Sequence, residues 1–589
     1  MKQFFKFMFA SMAGFFVAGF LLILFLIFIV AGMVNGLKDD KQTTIKNHSV
    51  LQISLDGPIK ERSEKNPIDG IGFSGISLNR SIGLEDILRS LSEAKTDSKI
   101  DGIFLNLSGI EAGLATVEEI HNALVDFKTS KKFIYAYSEG YTQGAYYLAS
   151  VADKIYLYPE GDIDFKGFHA ELMFFKGTLD KLEIEPEIIR HGKYKSAIEP
   201  FILDKMSPEN KLQVTTFIGS LWSRFISDIA ESRKLDVKQV QKIADNLGAR
   251  TGQDALDSKL VDQLSYYDEV INELKVKTGA NSDEKVKFVE LKKYVHSYPA
   301  IKEFQAKKIA VIYANGDIVS GKGDDDNLSS EKIAEAIRKA RTDSTIKAIV
   351  LRVNSPGGSA LASDVIWRET ILAKKAKPLV VSMGDYAASG GYYISCSADK
   401  IVAQPTTITG SIGVFGLMFN AKKLFNNKLG ITFDSVQTGN HSNIGSTFYP
   451  MTTEERTIMQ EGVEKVYDTF ISHVAEGRKM TKASVDSIGQ GRVWSGTDAK
   501  RLGLVDEIGG LTTAIDIAAK LAKLDKYRTV SMPDQKDFIK QIFEDIDAEA
   551  KVKFAKESFG PAAGYYKNIQ SLLSTKGVQA RMPFSINIQ

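Results

Sequence analysis

The sequence predicts an α/β protein: two tandem copies of one βαβ domain behind a single membrane-spanning helix. Three observations lead there. A long uncharged run lies near the amino terminus, an internal repeat recurs at a constant spacing, and each copy alternates strand-like with helix-like stretches.

The anchor comes first along the chain. No residue from Phe7 to Leu37 is charged, and the centre of the run reads FFVAGFLLILFLIFIVAGMV. A helix rises ~1.5 Å per residue and the hydrocarbon core of a bilayer is ~30 Å thick, so about 20 apolar residues span it. This run is longer and can tilt. Lys2 and Lys6 precede it, which puts the amino terminus in the cytoplasm and everything after the helix outside. A cleaved signal peptide would show an apolar region of ~7–15 residues and a small-x-small cleavage site. The run is too long for that and offers no good site, so residues 7–37 read as an uncleaved anchor in the lipid bilayer.

The repeat comes next. AKTDSKIDGIFLNL at 94–107 matches ARTDSTIKAIVLRV at 340–353, and GAYYLASVADKIYLYP at 144–159 matches GGYYISCSADKIVAQP at 390–405, both 246 positions apart. FISDIAESRK at 225–234 matches FISHVAEGRK at 470–479, and TGQDALDSKLVD at 251–262 matches SGTDAKRLGLVD at 495–506. Four matches in one order at nearly one spacing mark a duplication. Within each copy, β-branched runs such as KAIVLRV and PLVVSMG alternate with amphipathic stretches such as SEKIAEAIRKAR and LASDVIWRETILAKKA. That alternation predicts right-handed crossovers and mostly parallel sheets. The expected division is 1–45 for a cytoplasmic stub and anchor, 46–300 for the first copy, 301–530 for the second, and 531–589 for a polar, helix-prone tail. The tail is assigned to packing or an oligomer contact.

Composition removes several function classes. A net charge of +2 gives no reason to expect a nucleic-acid partner. The single cysteine, Cys396, excludes an internal disulfide and a multi-cysteine metal site, and reads as a small buried hydrophobe. The seven histidines are scattered without paired spacing. Neither a metal nor a cofactor is expected.

The stretch GDYAASGGYYISCSADK at 384–400 carries the chemistry. It reads as a strand turning into a helix with Ser389 at the turn and two glycines after it, which is how a chain presents a nucleophile. A serine hydroxyl needs a base, and comparing the copies finds one. Gln143 stands at the place of Ser389 in the first copy, and LSGIEAG replaces the glycine-bearing NSPGGSA of 354–360. Conversely, RHGKYKSAIEPF at 190–201 holds Lys195, where the second copy has TGNHSNIGSTFY with His441 or Ser442. One copy keeps a serine and the other a lysine, so the two losses are complementary. A single site between the halves follows, with Ser389 as nucleophile and Lys195 as base. A lysine can serve once burial lowers its pKa from ~10.4. The amide of Gly390, with that of Gly357 or Gly358, would form an oxyanion hole, and glycine suits such close approach to substrate. His441 is the competing base within the second copy. Lys193, two residues from Lys195, reads as solvated.

GDYAASGGYYI, NSPGG, TGSIGV at 409–414 and GKYKSAIEPF together resemble the long form of the signal peptide peptidase A (protease IV) family, over nearly the whole chain. The resemblance implies a crotonase-like or Clp-protease-like fold. It also implies a membrane-anchored serine endopeptidase of the bacterial inner membrane, with its catalytic domains in the periplasm. The activity implied is degradation of signal peptide remnants and other small hydrophobic peptides by a Ser–Lys dyad. Ser411, in TGSIG, is implied as the hydroxyl that orients the lysine, and a homotetramer is implied. The alternatives are a catalytically silent membrane scaffold, against which the intact residue set argues, and crotonase-type acyl-CoA chemistry. An extracytoplasmic placement opposes the latter, since coenzyme A is cytoplasmic.

Overall fold

The computed structural model describes residues 2–37, 44–63, 82–281, 283–297, 307–323, 327–535 and 578–582. The chain begins with a helix, Lys2–Leu37. Among the described residues no helix is long and apolar enough to cross a membrane. The anchor expected over 7–37 falls in part on side chains outside that description. The tail expected over 531–589 also lies outside it, except for 531–535 and 578–582.

Each copy builds a largely parallel sheet in the same order. In the first the strands run Gln263–Leu264, Lys154–Leu157, Phe133–Ser138, Ile100–Asn106, Ser49–Ile53 and Lys287–Glu290, all parallel. In the second, Glu507–Ile508, Lys400–Ala403, Leu379–Ala388, Ile346–Ser355, Lys308–Asn315 and Arg528–Met532 repeat that order, again in parallel. Here Leu379–Ala388 also runs past Lys400–Ala403 to pair with Ile408–Gly410. The strands are near-continuous apolar runs because helices cover both faces.

The helices repeat as closely as the strands. Leu84–Thr96 and Ser330–Thr342 have 13 residues each. The first buries Leu84, Ile87, Leu91 and Ala94, and the second Ile333, Ala336, Ile337 and Ala340. Both sets follow the three- and four-residue spacing of a one-faced helix. The duplicated FISxxAExRK stretches end two helices of 26 residues each, Pro208–Arg233 and Thr453–Arg478. Their amino ends are capped by Ser207 and Thr452, and their carboxyl ends stop at Lys234 and Lys479 in the left-handed conformation.

A third sheet joins the copies. Its order is Leu328–Ser329, Ile318–Val319, Gly357–Ser359, Gln579–Arg581, Val414–Asn420 and Glu185–His191. The last two strands come from different copies and pair antiparallel over seven residues, from Val414 opposite His191 to Asn420 opposite Glu185. This ladder carries the chain of the first copy to the edge of the second, four residues before Lys195.

Buried charge locks the two halves elsewhere. Arg352, on the central strand of the second copy, is fully buried. Its guanidinium meets Glu61 at 2.8 Å and Glu119 at 3.0 Å, both from the first copy. Nη1 also donates to Ser382 Oγ at 2.9 Å, and Glu119 accepts the Leu511 amide. Beside it, Glu118 accepts from Arg224 at 2.8 Å and from the amide of Thr406 at 3.1 Å. A buried ion cluster stands only while every charge is answered. Arg352→Ala strands two buried carboxylates and is expected to cost about 3–5 kcal/mol of stability, read as a fall in the urea midpoint of unfolding. An unchanged midpoint would show that the halves do not depend on this cluster.

Candidate active site

Ser389 sits between the strand Leu379–Ala388 and the helix Gly390–Ser395. Its backbone has φ 55° and ψ −112°, a strained conformation for a residue with a side chain. It is held there by its amide, which donates to Gly410 O at 2.8 Å, and by its carbonyl, which accepts from Tyr393 N at 2.8 Å. A serine at a helix start normally caps it. Here the hydroxyl makes no cap bond and meets the Lys195 amine instead.

Lys195 precedes the 3-10 turn Ser196–Ile198 and is fully buried. Its Nζ lies 2.8 Å from Ser389 Oγ, 3.0 Å from Ser411 Oγ and 3.2 Å from Ser411 O. Ser389 and Ser411 are fully buried as well. Burial holds the amine well below the ordinary lysine range of 10.5. The fold thus brings Ser389, found by comparing the copies, and Ser411, implied by the resemblance, within hydrogen-bond distance of the Lys195 amine.

The glycines divide. The Gly357 amide donates to Ser355 Oγ at 3.2 Å. Ser355 is itself fixed by donating to Gly316 O at 2.6 Å. Gly358 pairs with Ala580 and with Ile318, and the loop lies close to the helix start. A Cβ on residue 357 would sit 2.7 Å from the Gly390 nitrogen. His441, the competing base, keeps other company: its ring lies 3.4 Å from Glu455 and 3.8 Å from Glu454. Lys193 is exposed.

Two positioning features escaped the sequence reading. The first is the loop Gly489–Arg492. Its Gln490 carbonyl accepts from Tyr194 N at 3.0 Å, and its Arg492 carbonyl accepts from Ser411 N at 2.6 Å. One loop therefore fixes the backbone of both lysine and serine partners. A Cβ on Gly491 would sit 2.6 Å from the Lys195 nitrogen, at φ +84°, so only glycine fits. At the spacing that aligns Thr251 with Ser495, Leu247 holds this place in the first copy, and that difference was the available signal. The second is Gln213, fully buried on the long helix of the first copy. It donates to Tyr194 O at 3.1 Å and Ser196 Oγ at 2.9 Å, and accepts from Val493 N at 3.2 Å.

In the first copy Gln143 stands at the place of Ser389 and lines a cavity of about 720 Å³ with Thr142, Gly144 and Lys166. The Gln143 amide group bonds the backbone of Lys166 and Gly167, with Oε1 accepting at 3.1 and 2.9 Å and Nε2 donating to Gly167 O at 3.2 Å.

Comparison with known proteins agrees with this architecture. A model described as Peptidase family S49 matches residues 126–281 and again 371–525, once in each copy. The chain belongs to peptidase family S49. A Clp protease model also matches residues 302–408, in keeping with a Clp-protease-like α/β domain. Among curated S49 relatives, Protease 4 of Haemophilus influenzae is 36% identical over 515 residues, 84% of this chain and 83% of that one. Protease 4 of Salmonella typhi is 37% identical over 528 residues, covering 88% and 82%. The chloroplastic serine protease SPPA of Arabidopsis thaliana is 31% identical over 495 residues, covering 83% and 71%. The chain is thus a serine-type peptidase of the S49 family, in the tandem-duplicated form.

Gly491→Ala is expected to displace Lys195 and lower kcat/KM by about 100-fold, the scale of an ångström-level misplacement, while the circular dichroism of the folded protein is kept. Activity close to wild type would show that the loop does not set the lysine.

Proposed function

We propose that this S49 peptidase is a membrane-anchored endopeptidase with a Ser389–Lys195 dyad, acting through an acyl-enzyme on small hydrophobic peptides such as signal peptide remnants. The observation that carries this is the buried Lys195 amine, 2.8 Å from Ser389 Oγ.

The chemistry follows from that contact. A neutral amine has two hydrogens and one lone pair. The oxygens of Ser411 take the hydrogens, and the lone pair is left for the Ser389 proton. Lys195 removes that proton as Oγ attacks the substrate carbonyl. The amides of Gly358 and Gly390 hold the oxyanion. The lysine ammonium then protonates the leaving amine, and water, deprotonated by the same lysine, releases the acyl group.

The setting is read from the sequence and the family resemblance. Residues 1–45 form the cytoplasmic stub and anchor of a bacterial inner-membrane protein. The copies at 46–300 and 301–530 stand in the periplasm, the first supplying the lysine and the second the serine. The uncharged run over 7–37 supports the anchor, and the resemblance supports a homotetramer.

Ser389→Ala and Lys195→Ala are each expected to lower hydrolysis of a hydrophobic peptide by about 10⁴-fold or more. Either variant retaining substantial activity would defeat the dyad. Because burial lowers the Lys195 pKa, the neutral base is present below the usual lysine range. In a pH profile, kcat/KM should rise with pH to a plateau whose midpoint lies well under 10.5. A rise centred at the ordinary lysine value would contradict a neutral buried base.

A further inference from the structure

The first copy keeps the frame of a peptidase site without its nucleophile. At the constant spacing of 246, the cavity-lining Thr142, Gln143 and Gly144 stand at the places of Ala388, Ser389 and Gly390. The loop 110–113 stands at the place of 356–359. The strands beside these loops match as well. In the second copy Gly357–Ser359 has Ile318 in parallel on one edge and the extended segment Gln579–Arg581, antiparallel, on the other. In the first copy Glu111 has Pro58 in parallel, with Ile59 N donating to Glu111 O at 3.0 Å. Among the described residues that bridge is the loop's only strand-like pairing. Its second edge has no counterpart of the extended segment, and Ile110, Ala112 and Gly113 of the same loop line the cavity.

The cavity has apolar walls and a fixed rim. Leu114, Phe168, Leu221 and Phe225 line it from the first copy and Ile408 from the second. Asp385, also of the second copy, holds the rim. Its carboxylate accepts from Thr116 N and Thr116 Oγ1, both at 2.8 Å, and so caps the helix Leu114–Lys128 from across the interface. Asp164 and Lys166, both exposed, stand at the mouth. Leu221 and Ile408 belong to the same apolar cluster as Ala388, the residue before Ser389, so the cavity and the serine turn share a wall. An unpaired strand edge beside apolar walls is how a sheet takes up an extended peptide. Backbone bonds give the affinity, and alternate side chains enter the pocket.

We propose that this cavity is a second binding site for the enzyme's apolar peptides, one that holds them without cutting. An extended segment adds to the unpaired edge of the loop 110–113 and seats apolar side chains against Leu114, Phe168 and Phe225. This rests on the reading of the substrates as hydrophobic peptides. No covalent step occurs here, because Gln143 offers an amide, already bonded to the backbone of Lys166 and Gly167, where the second copy has a hydroxyl. A peptide of signal-peptide length occupies the cavity and the catalytic site together, whereas a short one fills only the latter. The held end raises the effective concentration of the rest of the peptide at Ser389. The first copy thereby favours long substrates.

The test compares an apolar peptide of about 20 residues, the length of a signal peptide, with a fragment of about six residues around its cut, the length of one strand. Both are given to the full-length wild type and to Ala112→Trp, whose indole fills the cavity at the loop. In wild type kcat/KM should favour the long peptide by about 100-fold, through KM, and Ala112→Trp should erase that preference. Equal values for the two lengths in wild type, or a preference that survives Ala112→Trp, overturns the second site. A further measurement needs no turnover. The long peptide, carrying a photo-reactive leucine, is crosslinked to full-length Ser389→Ala, and the labelled residues are located by mass spectrometry. Labels on Ile110, Leu114 or Phe168 are expected, and they should vanish when Ala112→Trp is added. Labels confined to the surroundings of Ser389 overturn the second site and leave the substrate reading standing. Wild type that cleaves neither peptide, with no label at either place, defeats the substrate reading itself.

Discussion

A lysine amine buried beside a serine hydroxyl, its pKa lowered by burial alone, is the constraint that the rest of this structure serves. A lysine at the surface would stay charged and could not take a proton. A buried lysine beside a carboxylate would also stay charged. Lys195 has neither escape: among the described residues its nitrogen meets only the oxygens of Ser389 and Ser411. Keeping it there takes backbone from both copies. The antiparallel ladder between Glu185–His191 and Val414–Asn420 delivers the chain, and the Gly489–Arg492 loop stops it at the right register.

The duplication explains how such a site arises without either half being complete. The second copy keeps the strand-to-helix turn at Ser389 and the glycine loop. The first keeps the lysine, and at its own turn Gln143 bonds the Lys166–Gly167 backbone. The proposed dyad requires that the halves not drift apart. The ion cluster around Arg352 ties the halves together, and burial, not a neighbouring charge, lowers the lysine pKa.

Much of this was legible in the sequence because the chain contains its own comparison. The offset of 246 between repeated stretches aligned Ser389 with Gln143, and the matching helices have identical lengths in the two copies. The lysine was found by the same comparison, since its absence from one copy mirrors the absence of serine from the other. What escaped was of a different kind. Gly491 packs on Lys195 from almost 300 positions away, and Gln213 holds Tyr194 and Ser196 on either side of it from a separate helix; local periodicity carries no trace of such contacts. The bond from the Gly357 amide to Ser355 depends on a turn geometry that NSPGG alone does not specify. The strand at 579–581 is three residues long and is defined by backbone pairing with a distant loop, so it has no pattern of its own to read.

The claim at the centre is that a base from the first copy activates a nucleophile from the second. Its most direct test is labelling by a serine-reactive fluorophosphonate, with the modified residue located by peptide mass spectrometry in wild type, Lys195→Ala and His441→Ala. The account predicts rapid labelling of Ser389 in wild type and in His441→Ala, and almost none in Lys195→Ala. Labelling that persists without Lys195, or that disappears without His441, would place the base within the second copy and contradict a site shared between the halves.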